Sequence, residues 1–153
     1  MLKKTGNMFE HITECDLCFV TTNGTTRKDG RLVMGAGAAK EALLLYPNLA
    51  KYFGKRVAEV GCRYHLLVHP EFSEGGWKKL AAFQTKLDWF NPTPVNLLRE
   101  SLFKLDSFAR ANSTAVIYLN YPGIGLGGLD LATVEQLFKE VCLPDNVTVW
   151  KLK

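Results

Sequence analysis

The sequence predicts an α/β fold in which helices sandwich a largely parallel or mixed sheet. Two observations carry this. Short apolar runs rich in β-branched and aromatic residues alternate along the chain with runs of helical spacing. Two glycine-rich segments, 33–40 (VMGAGAAK) and 122–130 (PGIGLGGLD), each lie between a strand-like and a helix-like run. In sheets of this kind a ligand crevice lies beyond the carboxyl ends of the strands, where both glycine segments are expected to emerge.

The elements follow in order. Residues 16–22 (DLCFVTT) read as a buried strand, and a polar turn over 23–31 leads into the first glycine segment. Helical spacing then places Ala38, Ala39, Ala42, Leu43 and Leu45 in an apolar set until Tyr46-Pro47 ends it. Asn48 is a candidate cap for a short continuation through Phe53. Residues 63–69 and 79–85 read as two strands joined through the turn Glu74-Gly75-Gly76. Thr93-Pro94 has the form of a cap and first-turn proline, opening a helix with Val95, Leu98, Leu102, Leu105 and Phe108 on one face. Residues 114–120 form the next buried strand, leading into the second glycine segment. A helix with Leu131, Val134, Leu137, Phe138 and Val141 inward follows, and 147–150 supply a last strand.

The 153 residues suit one domain with a proper core, and no linker or repeat divides them. A net charge of +4 tolerates a phosphorylated partner without demanding one. The apolar runs are too short to span a membrane, and Met1-Leu2-Lys3-Lys4 opens no signal-peptide core, so the expected location is cytoplasmic. Cys15, Cys18, Cys62 and Cys142 lack the density of a disulfide scaffold and are expected to be thiols. Cys15-x-x-Cys18 has no second pair, and His65 and His69, on one strand face, have no third ligand. No metal or cofactor is expected.

A glycine-rich loop before a helix aims unpaired backbone N–H groups at one point, where the helix dipole also favours an anion. Two such loops in a small chain predict one cleft gripping a diphosphate from two sides. Gly123, Gly125 and Gly128 formally satisfy G-x-G-x-x-G, but only one helix and one strand follow, too little chain for a dinucleotide fold. Gly30-x4-Gly35 continues into Ala36 rather than Lys-Ser/Thr, which removes the P-loop reading.

The arrangement resembles the macrodomain family of ADP-ribose-binding modules, over nearly the whole chain. Gly6-Asn7-Met8-Phe9 looks like the family's Gly-Asp/Asn-hydrophobic start after a first short strand. Residues 16–23 look like the strand ending in the ribose-facing asparagine. Met34-Gly35-Ala36-Gly37-Ala38 looks like the first diphosphate loop, and Pro122-Gly123-Ile124-Gly125-Leu126-Gly127-Gly128-Leu129 like the second. The resemblance implies a three-layer α/β/α sandwich with a central mixed sheet. It also implies backbone amides on the diphosphate, Asn23 on the distal ribose, Asn7 at adenine, where aspartate is more usual than asparagine, and Met8 among the ligand-binding residues.

Within the family, Thr85-Lys86 after the 79–85 strand looks like the place of the catalytic lysine in terminal ADP-ribose glycohydrolases and the related DNA ADP-ribosyl glycohydrolase antitoxins. Attack or electrostatic assistance at the anomeric carbon of the distal ribose is the implied chemistry. The terminal-glycohydrolase type carries an aspartate in the second loop, where this chain has Gly127. Asp130, three residues on, suits a helix cap. The resemblance thus implies an ADP-ribosyl glycohydrolase acting on an ADP-ribosylated protein, DNA or nucleotide. A phosphatase for ADP-ribose 1″-phosphate and a non-catalytic reader of ADP-ribose are the alternatives. On residues alone Lys86 reads equally as an exposed strand-end lysine, and Asn23-Gly24 as a turn. Trp89-Phe90 is the aromatic pair placed to line a substrate cleft.

Overall fold

The computed structural model describes residues 1–153. Strands β1 (Leu2–Thr5), β2 (Leu17–Thr22), β3 (Leu66–Leu67), β4 (Leu80–Gln84), β5 (Ile117–Asn120) and β6 (Val147–Lys151) form one sheet in the order β1-β6-β5-β2-β4-β3. Every pairing is parallel except β3 against β4, so the sheet is mixed as predicted. The register is direct: Cys18 lies opposite Leu80 on β4 and Tyr118 on β5.

Alternate residues of the central strands feed opposite layers, because successive strand side chains point to opposite faces. Cys18 and Val20 of β2 join Leu80 and Ala82 of β4 beneath helices α1 (Gly37–Leu45) and α2 (Leu49–Val60). Leu17, Phe19, Ala81 and Phe83 face α3 (Val95–Ala111) and α4 (Leu131–Val141). Both faces are covered, which is why β2 and β4 read as continuous apolar runs. Phe19, Phe53 and Phe83 are fully buried, each contributing about 2 kcal/mol of apolar transfer energy. No helix is long and apolar enough to cross a membrane.

Five expectations are corrected. The 63–69 run yields only the two-residue edge strand β3, because His65 takes φ 62° and breaks the extended chain before it. His65 and His69 therefore share no strand face: His65 pairs with Glu100 at 3.0 Å, and His69 packs against Tyr52 and Trp77. The continuation after Pro47 is a full helix to Val60, held by buried Leu49, Ala50, Phe53 and Val57, with no cap bond from the Asn48 side chain. Thr93 does not cap α3 either; the cap position is Pro94, and Thr93 is buried against the second glycine loop. On α4 the inward face is Val134, Leu137, Phe138 and Val141, while Leu131 is half exposed in the first turn.

Candidate functional site

Both glycine loops emerge at the carboxyl ends of the strands and line a single cleft of about 850 Å³, within the usual size of small-molecule sites. The first loop enters α1. Its first helical bond runs from Lys40 N to Ala36 O, and no side chain caps the helix. The amides of Gly35, Ala36, Gly37, Ala38 and Ala39 are thus without partners in the chain, at the positive end of the helix dipole. Met34 is buried beneath them and also lines the cleft.

The second loop leaves β5 and turns back on itself. Gly123, Gly125 and Gly128 all have positive φ (82°, 63° and 77°), a region where glycine carries no Cβ penalty. The turn is closed by Gly127 N to Ile124 O, Gly128 N to Gly125 O, and Leu129 N to Gly123 O. The amides of Gly123, Ile124, Gly125 and Leu126 are left unpaired, and all four residues line the cleft. Pro122, Gly128 and Leu129 lie outside the lining: Pro122 is buried, and Leu129 packs into the core under the loop.

Gly127 lines the cleft with no room for a side chain. A Cβ there meets the Thr93 hydroxyl at 2.8 Å, and Thr93 N donates to Gly127 O at 2.8 Å. The absence of an aspartate at this place is therefore built into the local packing. Asp130 caps α4, accepting from Thr133 N at 2.8 Å, and the Thr133 hydroxyl and amide hold its carboxyl below the ordinary range.

At one end of the cleft stand Asn23, Thr85, Lys86, Trp89 and Phe90. Asn23 is held on three sides. Its Nδ2 donates to Val33 O at 3.0 Å, its Oδ1 accepts from Thr25 N at 2.9 Å, and its backbone carbonyl accepts from the Tyr64 hydroxyl at 2.7 Å. The turn reading and the ligand reading of Asn23 thus meet: the amide makes an Asx turn and still presents one N–H and one lone pair. Tyr64 is buried and also bonds the Thr22 hydroxyl at 2.5 Å; burial pushes its phenol well up.

Lys86 follows β4 directly. Its Nζ donates to Leu126 O of the second loop at 2.9 Å and to Trp89 O at 3.4 Å, and none of the chain's ion pairs includes it. Its backbone is fixed by Gln84, whose buried amide accepts from Tyr64 N and His65 N and donates to Cys62 O and Lys86 O. Trp89 and Phe90 meet edge to face at 5.6 Å and are 55% and 65% exposed at the rim. Gly24 locks this end together: its amide donates to Leu87 O, and a Cβ on it falls 2.4 Å from the Cys62 carbonyl oxygen and 3.0 Å from that of Leu87. Gly24→Ala is accordingly expected to lose about 2–3 kcal/mol through overpacking against fixed backbone. In a chain of this size that lowers Tm by roughly 5–10 °C, which scanning calorimetry reads directly.

At the other end lie Asn7, Met8, Phe9 and Trp150. Asn7 Oδ1 accepts from Phe9 N at 3.0 Å and opens a 3-10 turn over Met8–Glu14, while its Nδ2 makes no bond within the chain. Met8 is buried against Cys18, and Trp150 stacks on His11 at 4.6 Å. Sequence reasoning missed Asn120, which lines the cleft between the loops and splices β5 to β2 through two bonds with Thr21. Its only sequence signal is its place at a strand end just before a glycine loop.

A six-stranded mixed sheet between two helical layers, with two glycine loops meeting over one cleft, defines the macrodomain fold. Solved structures bear this out. The macrodomain of Thermus aquaticus DarG is 21% identical, with a TM-score of 0.74 over 99% of this chain and 97% of its own. Thermosipho africanus DarTG in complex with ADP-ribose is 19% identical, with a TM-score of 0.75; all of this chain matches 42% of that one. The macrodomain of Mycobacterium tuberculosis DarG is 22% identical, with a TM-score of 0.67 over 97% of both chains. No family model matches the sequence, and no curated protein does.

Proposed function

We propose that the cleft binds ADP-ribose and releases it by hydrolysis from an ADP-ribosylated protein, DNA or nucleotide, with Lys86 at the reacting end. The observation that carries this is the set of unpaired amides from both glycine loops around one cleft, a cradle for a diphosphate that needs no metal. The Thermosipho africanus DarTG structure, 42% of whose chain matches this fold, is a complex with ADP-ribose, which supports the same ligand here. With the diphosphate between the loops, one sugar lies beside Asn23 and Lys86 and the base lies against Asn7 and Met8.

The Lys86 ammonium has three donors. Two serve the carbonyls of Leu126 and Trp89, and one remains for the leaving atom on the distal ribose. Such a group stabilises the negative charge that develops as the bond from the anomeric carbon to its leaving group breaks. Water then supplies the hydroxyl at that carbon, and its proton goes to the departing carboxylate or base. The lack of a paired acid near Lys86 favours a second reading, a module that binds ADP-ribose without turnover. Incubation with ADP-ribosylated DNA and protein, with free ADP-ribose read by mass spectrometry, separates the two. Release supports hydrolysis, and intact substrates beside tight ADP-ribose binding support the reader. Free phosphate from ADP-ribose 1″-phosphate would point instead to a phosphatase.

A further inference from the structure

Cys15-x-x-Cys18 has no part in the cleft chemistry, yet the fold brings its two thiols together. Residues three apart on a regular strand point to opposite faces of the sheet. Here both belong to the buried layer beneath α1 and α2, at 6% and 0% exposure. The cause is a bulge. Asp16 N at 2.9 Å and Leu17 N at 3.2 Å both donate to Val116 O, so an extra residue enters the chain just before β2 and turns Cys15 to the side of Cys18. Neither sulfur is in a disulfide.

A third sulfur joins them. Cys18 Sγ lies 3.8 Å from Met8 Sδ, and its thiol also hydrogen-bonds that of Cys15. Met8 and Cys15 stand at the two ends of the 3-10 turn, so Cys18 on β2 meets both ends of it. Met8 lines the cleft, which places the sulfurs directly beneath its wall. One cation stands beside them. Lys79 Nζ donates to Ile12 O at 2.5 Å, and the Cys15 thiol donates to the same oxygen at 3.4 Å. Lys79 joins none of the chain's ion pairs.

Two thiols and a thioether are soft ligands, and soft ligands select Cu(I). Three sulfurs about 2.3 Å from one ion, the usual length of a metal–thiolate bond, stand about 4 Å apart. Cys18 and Met8 already have that spacing. Zinc asks for four ligands, and no group of three His, Cys, Asp or Glu side chains in the chain is placed to supply them. Charge points the same way. Two thiolates and a monovalent ion leave one negative charge, which the Lys79 ammonium offsets, and a buried charge needs such a partner.

We propose that Cys15, Cys18 and Met8 form a binding site for a soft monovalent metal ion, Cu(I), beneath the cleft wall. Binding forms two metal–thiolate bonds and releases both thiol protons to solvent, with the Met8 thioether as a neutral third ligand and no change of oxidation state. The site is independent of the ADP-ribose reading.

The test is anaerobic titration of the reduced, metal-free protein with Cu(I) against bicinchoninate, a coloured competing chelator. One Cu(I) per chain is expected to leave the chelator. The Cys62→Ser/Cys142→Ser variant, which lacks the two exposed thiols, is expected to take up the same amount. Cys15→Ala is expected to hold Cu(I) at least about a hundredfold more weakly. Met8→Leu, which keeps the volume and both thiols, is expected to hold it about tenfold more weakly. A Tm close to that of the wild type checks that each variant is folded. No uptake of Cu(I) by the variant without exposed thiols, or full affinity in Cys15→Ala, would overturn the site. Zn(II) held as firmly as Cu(I) would overturn its coordination.

Discussion

Lys86→Ala is expected to bind ADP-ribose about as tightly as the wild type while releasing it from an ADP-ribosylated substrate at least about a hundredfold more slowly, the usual worth of a positioned proton donor or charge at the reacting atom. Binding survives because the diphosphate is held by loop amides, which the substitution leaves in place. Rate falls because Nζ is the one cationic group at that end of the cleft. The variant removes bonds to two carbonyls that remain at the surface, so its Tm should change little. Single-turnover release of ADP-ribose, measured with binding by titration, reads both quantities. Turnover at the wild-type rate would remove Lys86 from the mechanism.

Gly35→Glu is expected to do the reverse, abolishing binding without unfolding the chain. No atom lies within 4 Å of the Cβ position at Gly35, and its φ is outside the left-handed region, so a side chain fits there at little strain. The space it enters is the cleft itself. A carboxylate beside the loop amides competes for the donors meant for a diphosphate and repels its charge. A loss of about a hundredfold or more in ADP-ribose affinity is expected, corresponding to roughly 2.7 kcal/mol. The matching control is a Tm within a few degrees of the wild type. Full affinity in this variant would place the diphosphate elsewhere.

The parts of this molecule that were legible in its sequence are those set by local pattern. β2, β4, α3 and α4 follow from continuous apolar runs or helical spacing, and both glycine loops stand out by composition. Residues whose placement depends on distant partners were not legible. Asn120 acquires its role from Thr21, 99 positions away. Gln84 looks like one more strand residue until its amide is seen to tie Cys62, Tyr64, His65 and Lys86 together. Thr93-Pro94 has the local form of a cap, but the second loop claims Thr93 for its own packing. Gly127 is the most instructive case: the sequence shows a missing aspartate, and the structure shows that Thr93 occupies the space a side chain would need.

The central claim, that two glycine loops grip one diphosphate, is tested most directly by the melting temperature of the wild-type protein with ADP-ribose and with AMP. ADP-ribose at about a hundred times its Kd stabilises the folded state by roughly 2.7 kcal/mol, a rise of about 5–10 °C for a chain of this size. AMP carries one phosphate, cannot engage both loops, and is expected to raise Tm much less at the same concentration. No rise with saturating ADP-ribose, or an equal rise with AMP, would contradict the account.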